Sequence, residues 1–208
     1  MVRLHLLALS WAFLVPPALA LEVTPGSSCA SFCLNDGKTD TLDPKASSTN
    51  ATDITCRDED YSSEEAGIKF RNCMQCLAKS NTTTDSESDL HWYLYNLRFT
   101  LSSCLFGFPD KPSEGQIQSP CIIDHACRPL KDPLASDGLD ADKQDTYGYC
   151  EANNGAFMAN STWTCRDCLR ASIEQTYFSN CKPSKSFSSA HIPSTDPSPS
   201  CHCPPSSM

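Results

Sequence analysis

The sequence predicts a small, mainly α-helical, disulfide-rich fold: two tandem cysteine-patterned helical repeats with long loops, followed by a disordered tail. The cysteines from Cys29 to Cys76 are separated by gaps of 3, 22, 16 and 2 residues. Those from Cys121 to Cys168 are separated by gaps of 5, 22, 14 and 2 residues. The shared gap of 22 and the matching C-x-x-C pairs indicate an internal duplication, with a repeat of about ninety residues.

Residues 1–20 have the features of a signal peptide and are predicted to lie outside that fold. Arg3 supplies a positive charge, residues 4–15 are largely apolar, and Ala18-Leu19-Ala20 forms an A-x-A cleavage site. We therefore expect a secreted protein that begins near Leu21. An uncleaved membrane anchor is the alternative, but the apolar stretch is shorter than the ~20 residues that a span requires.

Repeat 1 is predicted to cover residues 21–108. After a turn-rich opening at 24–26 and 35–37, residues 38–53 form a polar loop. Apolar and cysteine positions suit a helix over residues 66–79. The strongest helical pattern runs from Asp89 to Phe106, with Ser88 or Asp89 as the N-cap and Gly107 ending the helix. The apolar stripe of that helix consists of Leu90, Tyr93 or Leu94, Leu97, Leu101, Cys104 and Leu105.

Residues 109–120 are rich in glycine and proline and are predicted to be a linker. Repeat 2 is predicted over residues 121–181, with a helix from Trp163 to Tyr177 capped by Ser161 or Thr162. It lacks a counterpart of the end of the long helix of repeat 1, through degeneration or a change of reading frame near Asn180. Residues 182–208 contain nine Ser and six Pro, a composition that cannot bury a core and predicts a disordered tail.

The fourteen cysteines are expected to form disulfides, since secretion exposes them to an oxidising compartment. The same environment disfavours a zinc site, because a metal needs thiolates. We expect no metal and no other cofactor. We expect bonds to stay within each repeat and aligned cysteines to pair alike, without naming individual bonds. The twelve cysteines of the two repeats are Cys29, Cys33, Cys56, Cys73, Cys76, Cys104, Cys121, Cys127, Cys150, Cys165, Cys168 and Cys181.

The formal net charge of −9 repels phosphate backbones and argues against a nucleic-acid partner. Asn50, Asn81 and Asn160 each begin an N-x-[ST] sequon among polar residues. Each is predicted to carry a glycan on an exposed loop.

Several segments resemble an uncharacterised family of fungal cysteine-rich secreted or membrane-anchored glycoproteins, loosely labelled LPXTG-domain or cell-wall proteins. These segments are TPGSSCASFC, DITCRDEDY, KFRNCMQCLAKS, DLHWYLYNLRFTLSSCLFG, SPCIIDHAC and TWTCRDCL. The resemblance covers residues 21–180 and carries no known activity. It implies a transmembrane helix and a cytoplasmic tail after the repeats. This chain departs from the family there, because no stretch after Asn180 is apolar enough to span a membrane, and we expect a released product.

Three patterns could carry chemistry. The C-x-x-C pairs could be redox sites, with Cys165 near a helix N-terminus, but we favour structural half-cystines, each tied to a different loop. Residues 140–151 carry acidic side chains at part of the EF-hand spacing, but Asp145 stands where the loop needs glycine. The acidic side chains of residues 58–60 are sequence neighbours, which rarely flank a glycosidic bond. Solvated acidic turns explain both acidic patterns.

The histidines and aromatic residues give weaker signals. His91 lies in a helix beside Trp92, His125 lies between two cysteines, and His191 and His202 lie in the tail. An aromatic stretch could stack sugars, although core packing explains most of its members. Its members are Trp92, Tyr93, Tyr95 and Phe99.

These features predict a non-catalytic, disulfide-stabilised, N-glycosylated protein of the cell surface, cell wall or extracellular space. It would act as an interaction or structural module. Cell-wall polysaccharide and surface proteins are the partners considered. The alternative is a secreted enzyme, acting on thiols and disulfides or on carbohydrate, that has no recognisable motif. No serine-hydrolase, zinc-protease or phosphate-loop motif occurs in the sequence.

Overall fold

The computed structural model describes residues 20–35, 40–109, 120–123, 126–143 and 145–171. Within these ranges the chain is mainly helical, and its only β-type pairing is an isolated antiparallel bridge between Thr83 and Ser88. The predicted class, small, mainly α and disulfide-rich, is confirmed. The predictions for residues 1–19, for the turn at 36–37, for most of the linker and for the tail lie outside the described residues.

The three helices that the sequence predicts are present in the described residues, and shorter helices lie before and between them. These helices are α1 (Ala30–Cys33), α2 (Asp60–Ser63), α3 (Glu65–Leu77), α4 (Asp89–Phe106), α5 (Pro120–Ile123), α6 (Lys131–Leu134), α7 (Gly148–Gly155) and α8 (Asn160–Arg170). Short 3₁₀ turns occupy Arg128–Leu130, Ser136–Leu139 and Ala141–Lys143.

The long helix α4 begins and ends where the sequence predicts. The Ser88 hydroxyl accepts a hydrogen bond from the His91 backbone N–H at 3.2 Å, which satisfies a donor of the first turn. Gly107 adopts φ 63°, and its backbone N–H bonds to the Ser103 carbonyl at 2.9 Å. This left-handed residue closes the helix in the way that glycine permits without steric cost.

Burial of α4 differs from the predicted apolar stripe. Every residue of the helix except Leu90 and Phe106 is buried, and Leu90, the first residue of that stripe, is 42 % exposed. A stripe predicts the buried face only when one side of a helix meets solvent. Here structure surrounds α4 on all sides.

Both repeats contribute to the surroundings of α4. On one side the Asn96 amide donates to the Glu22 carbonyl at 2.9 Å. On the other side the Tyr95 hydroxyl donates to the Leu139 carbonyl at 2.8 Å. The buried apolar residues of both repeats form one cluster. The sequence suggested a small core for each repeat, whereas the structure has one core with α4 running through it.

The short helix α2 packs closely on α3 at Gly67. A Cβ atom at this glycine would lie 2.2 Å from the Asp60 carbonyl oxygen and 2.9 Å from the Tyr61 Cα. Because both neighbours are backbone atoms, neither can move away easily. The α2–α3 contact therefore requires glycine at this position.

Helix α8 begins earlier than predicted. Its N-cap is Ala159, which makes no side-chain cap, and its first residue is Asn160. The proposed caps at Ser161 and Thr162 are wrong, because both residues lie inside the first turn. The Thr162 hydroxyl instead donates back to the Phe157 carbonyl. The described helix runs to Arg170, and the rest of the predicted span lies beyond the described residues.

Candidate functional site

Five disulfides join ten of the described cysteines, and they follow the predicted rule: each lies within one repeat, and aligned cysteines pair alike. In repeat 1 the pairs are Cys29–Cys76, Cys33–Cys73 and Cys56–Cys104. In repeat 2 they are Cys121–Cys168 and Cys127–Cys165. The outer bonds of the two repeats both span 47 residues, with Cα–Cα distances of 5.6 and 5.7 Å. The inner bonds span 40 and 38 residues, at 4.8 and 4.5 Å. This agreement supports the hypothesis of duplication.

The two cysteines of each C-x-x-C pair bond to the same neighbouring segment. In repeat 1 both bonds reach α1 or the residue that caps it, because Cys29 and Cys33 are four apart and share one helix face. Our expectation that each cysteine would be tied to a different loop is wrong. A redox C-x-x-C site closes its disulfide within the pair. Neither described pair does so, and Cys73 is fully buried.

A third bond ties the segment before α2 to the last turn of α4, through Cys56 and Cys104. Cys150, which aligns with Cys56, is disulfide-bonded too. The other ten described cysteines pair among themselves. The partner of Cys150 therefore lies outside the described residues.

The three sequon asparagines differ in accessibility. Asn81 is exposed in the loop before α4, and Asn160 is exposed as the first residue of α8 rather than in the predicted loop. Asn50 is half-buried, and its side-chain oxygen accepts from the Thr52 N–H at 3.0 Å and the Thr52 hydroxyl at 2.6 Å. A glycan is attached at the amide nitrogen and would leave these contacts to the oxygen in place. Partial burial makes Asn50 less accessible than Asn81 and Asn160.

The aromatic stretch of α4 is not a sugar-stacking surface. Its four side chains are only 3–9 % exposed. The Trp92 ring meets the Tyr95 ring edge-on at 5.6 Å, and the Tyr95 ring lies 6.3 Å from that of Phe99. Core packing accounts for these residues, and the hypothesis of a sugar platform at this place is wrong.

The candidate acids and bases make local structural contacts. Asp60 accepts a hydrogen bond from the Thr55 hydroxyl at 2.6 Å, and Asp140 pairs with Lys143 at 2.5 Å. His91 Nδ1 lies 2.9 Å from the Thr146 hydroxyl, and burial lowers the pKa of this histidine. Among the described residues, no three His, Cys, Asp or Glu side chains are placed to hold a metal ion. His125, His191 and His202 lie outside the described residues.

A polar cleft of about 520 Å³ lies between α1 and α3 and is the candidate binding site. Phe32 is 49 % exposed and is one of its walls. Groups that donate and accept hydrogen bonds surround the Phe32 ring. One of them is the Lys69 amine, which donates to the Asn35 side chain. The lining residues are Ser31, Phe32, Leu34, Asn35, Ser63, Glu65, Ile68, Lys69 and Asn72. The size is within the range typical of small-ligand sites.

A network of buried polar side chains anchors the segment before α1, and the sequence analysis missed it. Asp89 accepts from the Ser27 hydroxyl at 2.6 Å and from the Thr24 N–H at 3.3 Å. Asn96 accepts from the Thr49 hydroxyl at 2.6 Å. Burial raises the pKa of Glu22, whose carboxylate accepts from Ser47. No sequence pattern marks this network, because its members lie up to 74 residues apart.

Comparison with known proteins adds no assignment. No protein family, curated protein or solved structure matches this chain. In the part of the chain that the structure describes, no helix is both long and apolar enough to cross a membrane. The cysteine pattern and the cleft between α1 and α3 are therefore the features on which function has to be argued.

Proposed function

We propose that the protein is a secreted, N-glycosylated, non-catalytic module of the cell surface, cell wall or extracellular space. The observation that carries this proposal is the disulfide framework: every cysteine among the described residues is disulfide-bonded. Such a framework is typical of small proteins in oxidising compartments, where crosslinks supplement a limited core.

Three side chains that could serve as acids or bases support the non-catalytic assignment. Asp60 is bonded to a threonine within its own turn, Asp140 pairs with Lys143, and His91 faces Thr146. A general acid–base pair needs two groups that converge on a common space where a substrate can enter. Each of these three groups is used in a separate structural contact instead.

The ligand that best fits the cleft between α1 and α3 is a polysaccharide. A half-exposed aromatic ring can stack on the apolar face of a sugar, while amide, hydroxyl, amine and carboxylate groups bond to its hydroxyls. Phe32 supplies the ring, and Asn35, Lys69 and Asn72 supply polar groups beside it. The resemblance to fungal secreted glycoproteins directs the search to fungal wall glycans.

The test incubates the purified protein with insoluble fungal wall glycans and measures sedimentation of the protein and release of reducing sugar together. We expect sedimentation without hydrolysis, and Phe32→Ala should weaken binding about fivefold, since an aromatic contact contributes on the order of 1 kcal/mol. Met158→Ala is the matched control, because Met158 is 41 % exposed and lies in repeat 2. Sugar release by the wild type would favour the enzyme alternative. Equal sedimentation of both variants would exclude the cleft.

A further inference from the structure

The N-terminal segment that follows the predicted cleavage site is built into the interior of the protein. Leu21 is 0 % exposed, and the next three residues are buried as well. The Leu21 backbone N–H donates to the Cys33 carbonyl at 3.0 Å. The first residues of the mature chain are thus fixed in the core and do not form a loose end.

A buried carboxylate lies beside this segment. Asp53 is 2 % exposed, and its Oδ1 accepts from the Ala20 backbone N–H at 3.0 Å. Its Oδ2 accepts from the Asn50 backbone N–H at 2.7 Å. Burial raises the pKa of Asp53 to about 6, because these amide donors and the field of Lys69 only partly offset the desolvation.

We propose that Asp53 is the binding site for the α-ammonium group that signal-peptide cleavage creates on Leu21, so that a buried ion pair forms only in the processed chain. The inference rests on the secretion that forms part of the proposed function. The site is specific to a primary ammonium at this one position of the chain.

The geometry places the new charge within reach of the carboxylate. Hydrolysis breaks the bond between the Ala20 carbonyl carbon and the Leu21 nitrogen: water supplies OH to Ala20 and hydrogen to Leu21, whose amine then binds a proton. Successive backbone nitrogens are about 3 Å apart, from standard bond lengths. The Leu21 nitrogen is one position from the nitrogen that now contacts Asp53. The ammonium can keep its bond to the Cys33 carbonyl and still donate to Asp53, directly or through one water.

Removal of Ala20 also makes the ion pair necessary. Cleavage takes away the amide donor that Oδ1 of Asp53 uses in the uncleaved chain. Oδ1 would then be a buried carboxylate oxygen without a donor, because the Asn50 N–H bonds to Oδ2, and such an unpaired oxygen is disfavoured. Since the Leu21 nitrogen is buried in the fold, cleavage has to precede folding. The folded processed chain then encloses an ammonium that already exists.

Other charged groups near the site do not substitute for the ammonium. Lys69 on α3 acts on Asp53 through its field, but its amine donates to Asn35. Glu22, which follows Leu21, directs its carboxylate to Ser47. The Leu21 ammonium would be the charge that contacts Asp53 directly.

The test compares four proteins by thermal unfolding: chains that begin at Leu21 or at Ala18, each with Asp53 or with Asp53→Asn. They are made in an oxidising bacterial host, because Asp53→Asn creates a new N-x-T sequon with Thr55. The Leu21 chain should unfold about 5 °C or more above the Ala18 chain when Asp53 is present, and should lose that advantage in Asp53→Asn, where the buried ammonium has no counter-charge. Asp85→Asn changes an exposed carboxylate and is the control. In chains that keep Asp53, it should leave the difference in unfolding temperature between the Leu21 and Ala18 chains unchanged.

The dependence on pH gives a second readout with opposite signs. In the Ala18 chain the folded pKa of Asp53 is raised, so acidification from pH 7 to 5 should stabilise this chain relative to its Asp53→Asn variant. In the Leu21 chain the ammonium should depress that pKa, so its advantage persists at pH 5 and is lost below about pH 4. The α-amine loses its proton above about pH 8, so the advantage should also fall there.

Equal effects of Asp53→Asn in both chain lengths would overturn the proposal. The N-terminal mass of the protein secreted from a eukaryotic host is read separately. A first residue other than Leu21 would contradict the predicted processing. The thermal comparison of the four proteins tests the Asp53 site independently of where the signal peptide is cleaved.

Discussion

The two repeats share a disulfide arrangement but differ in what their C-x-x-C helices pack against. In repeat 1, α3 contacts α1, α2 and α4, all of them earlier or later parts of the same repeat. In repeat 2, α8 lies near α5, and Leu169 and Cys165 share a small cavity with Leu101 and Leu105 of α4. The covalent pattern is the same, but repeat 2 completes its core with a helix of repeat 1.

The backbone of repeat 2 also depends on contacts with repeat 1. Among the described residues, the non-glycine residues with positive φ all lie in repeat 2: Asp137, Leu139, Asn153 and Asn154. Such conformations cost on the order of 1–3 kcal/mol each and persist where surrounding contacts fix them. Arg98 of α4 donates to the Ser136 carbonyl at 3.2 Å, and Tyr95 donates to the Leu139 carbonyl at 2.8 Å. Repeat 1 thus helps to fix the backbone around residues 136–139 of repeat 2.

Removal of the inner disulfide should have the largest effect, and it should be similar in the two repeats. Loops of 40 and 38 residues closed alone would correspond to about 4 kcal/mol each on the chain-entropy description. Because the outer bond remains and already constrains each loop, we expect a loss within the usual range of about 2–5 kcal/mol for a native disulfide. Denaturant unfolding compares two double variants. One carries Cys33→Ser and Cys73→Ser, and the other carries Cys127→Ser and Cys165→Ser. A loss confined to one pair would show that the matching bonds are not equivalent. Insulin reduction should be absent in all variants and in the wild type.

Arg98→Ala should sharpen the comparison, because it removes a contact between the repeats. Arg98 is buried, donates to Ser136 and lies over the Tyr149 ring at 4.9 Å. We expect a loss of about 2–4 kcal/mol from the cavity and the lost hydrogen bonds. Hydrogen exchange should accelerate in residues 130–169 more than in α3. Arg57→Ala, at an exposed position, is the control, and a uniform acceleration would argue against a specific link.

Gly67→Ala should destabilise repeat 1 by about 1–3 kcal/mol, although alanine is normally the better helix former. The reason is the 2.2 Å approach of the new Cβ to the Asp60 carbonyl oxygen. Gly148→Ala in repeat 2 is the matched control, since its Cβ would meet only the Asp145 side chain, at 3.3 Å. Chemical denaturation measures both. Equal effects would mean that the tight α2–α3 contact does not decide the outcome.

Truncation after Lys182 should have the smallest effect, shifting Tm by less than about 2 °C, because a Ser/Pro-rich tail has little to pack. This follows if Cys150 pairs with Cys181, as the alignment with Cys56–Cys104 predicts. Truncation after Asn180 is the contrasting variant: it deprives Cys150 of that partner and should lower secretion. If both truncations are equally harmful, Cys201 or Cys203 is the partner and the alignment of the repeats fails at this point.

Local patterns predicted the three longest helices, α3, α4 and α8, and the equal cysteine gaps predicted the pairing rule. Residues 89–106 carry a cap, a periodic interior and a terminating glycine, each within a few positions in sequence, and the helix appears with those bounds. Equal cysteine gaps were enough to expect equal bonds. Both kinds of signal are short-range or repetitive, so one chain is sufficient to detect them.

What the sequence did not predict depends on contacts between distant residues. The burial of α4 on all sides, with Leu90 exposed, follows from packing against two repeats at once. Asp53 and Ala20 are 33 residues apart, and nothing near either residue indicates their contact. The cleft at Phe32 arises from the pairing of α1 with α3 and has no pattern of its own.

The two C-x-x-C bonds of repeat 1 are concentric: the loop closed by Cys33 and Cys73 lies inside the loop closed by Cys29 and Cys76. A protease that cuts the chain once between residues 34 and 72 would leave both fragments joined by two covalent bonds. For a cut after Cys56, the bond from Cys56 to Cys104 joins the fragments a third time. The nicked molecule would retain its mass without reductant. In an environment rich in extracellular proteases, such nesting lets the surface loops be lost or replaced while the scaffold persists.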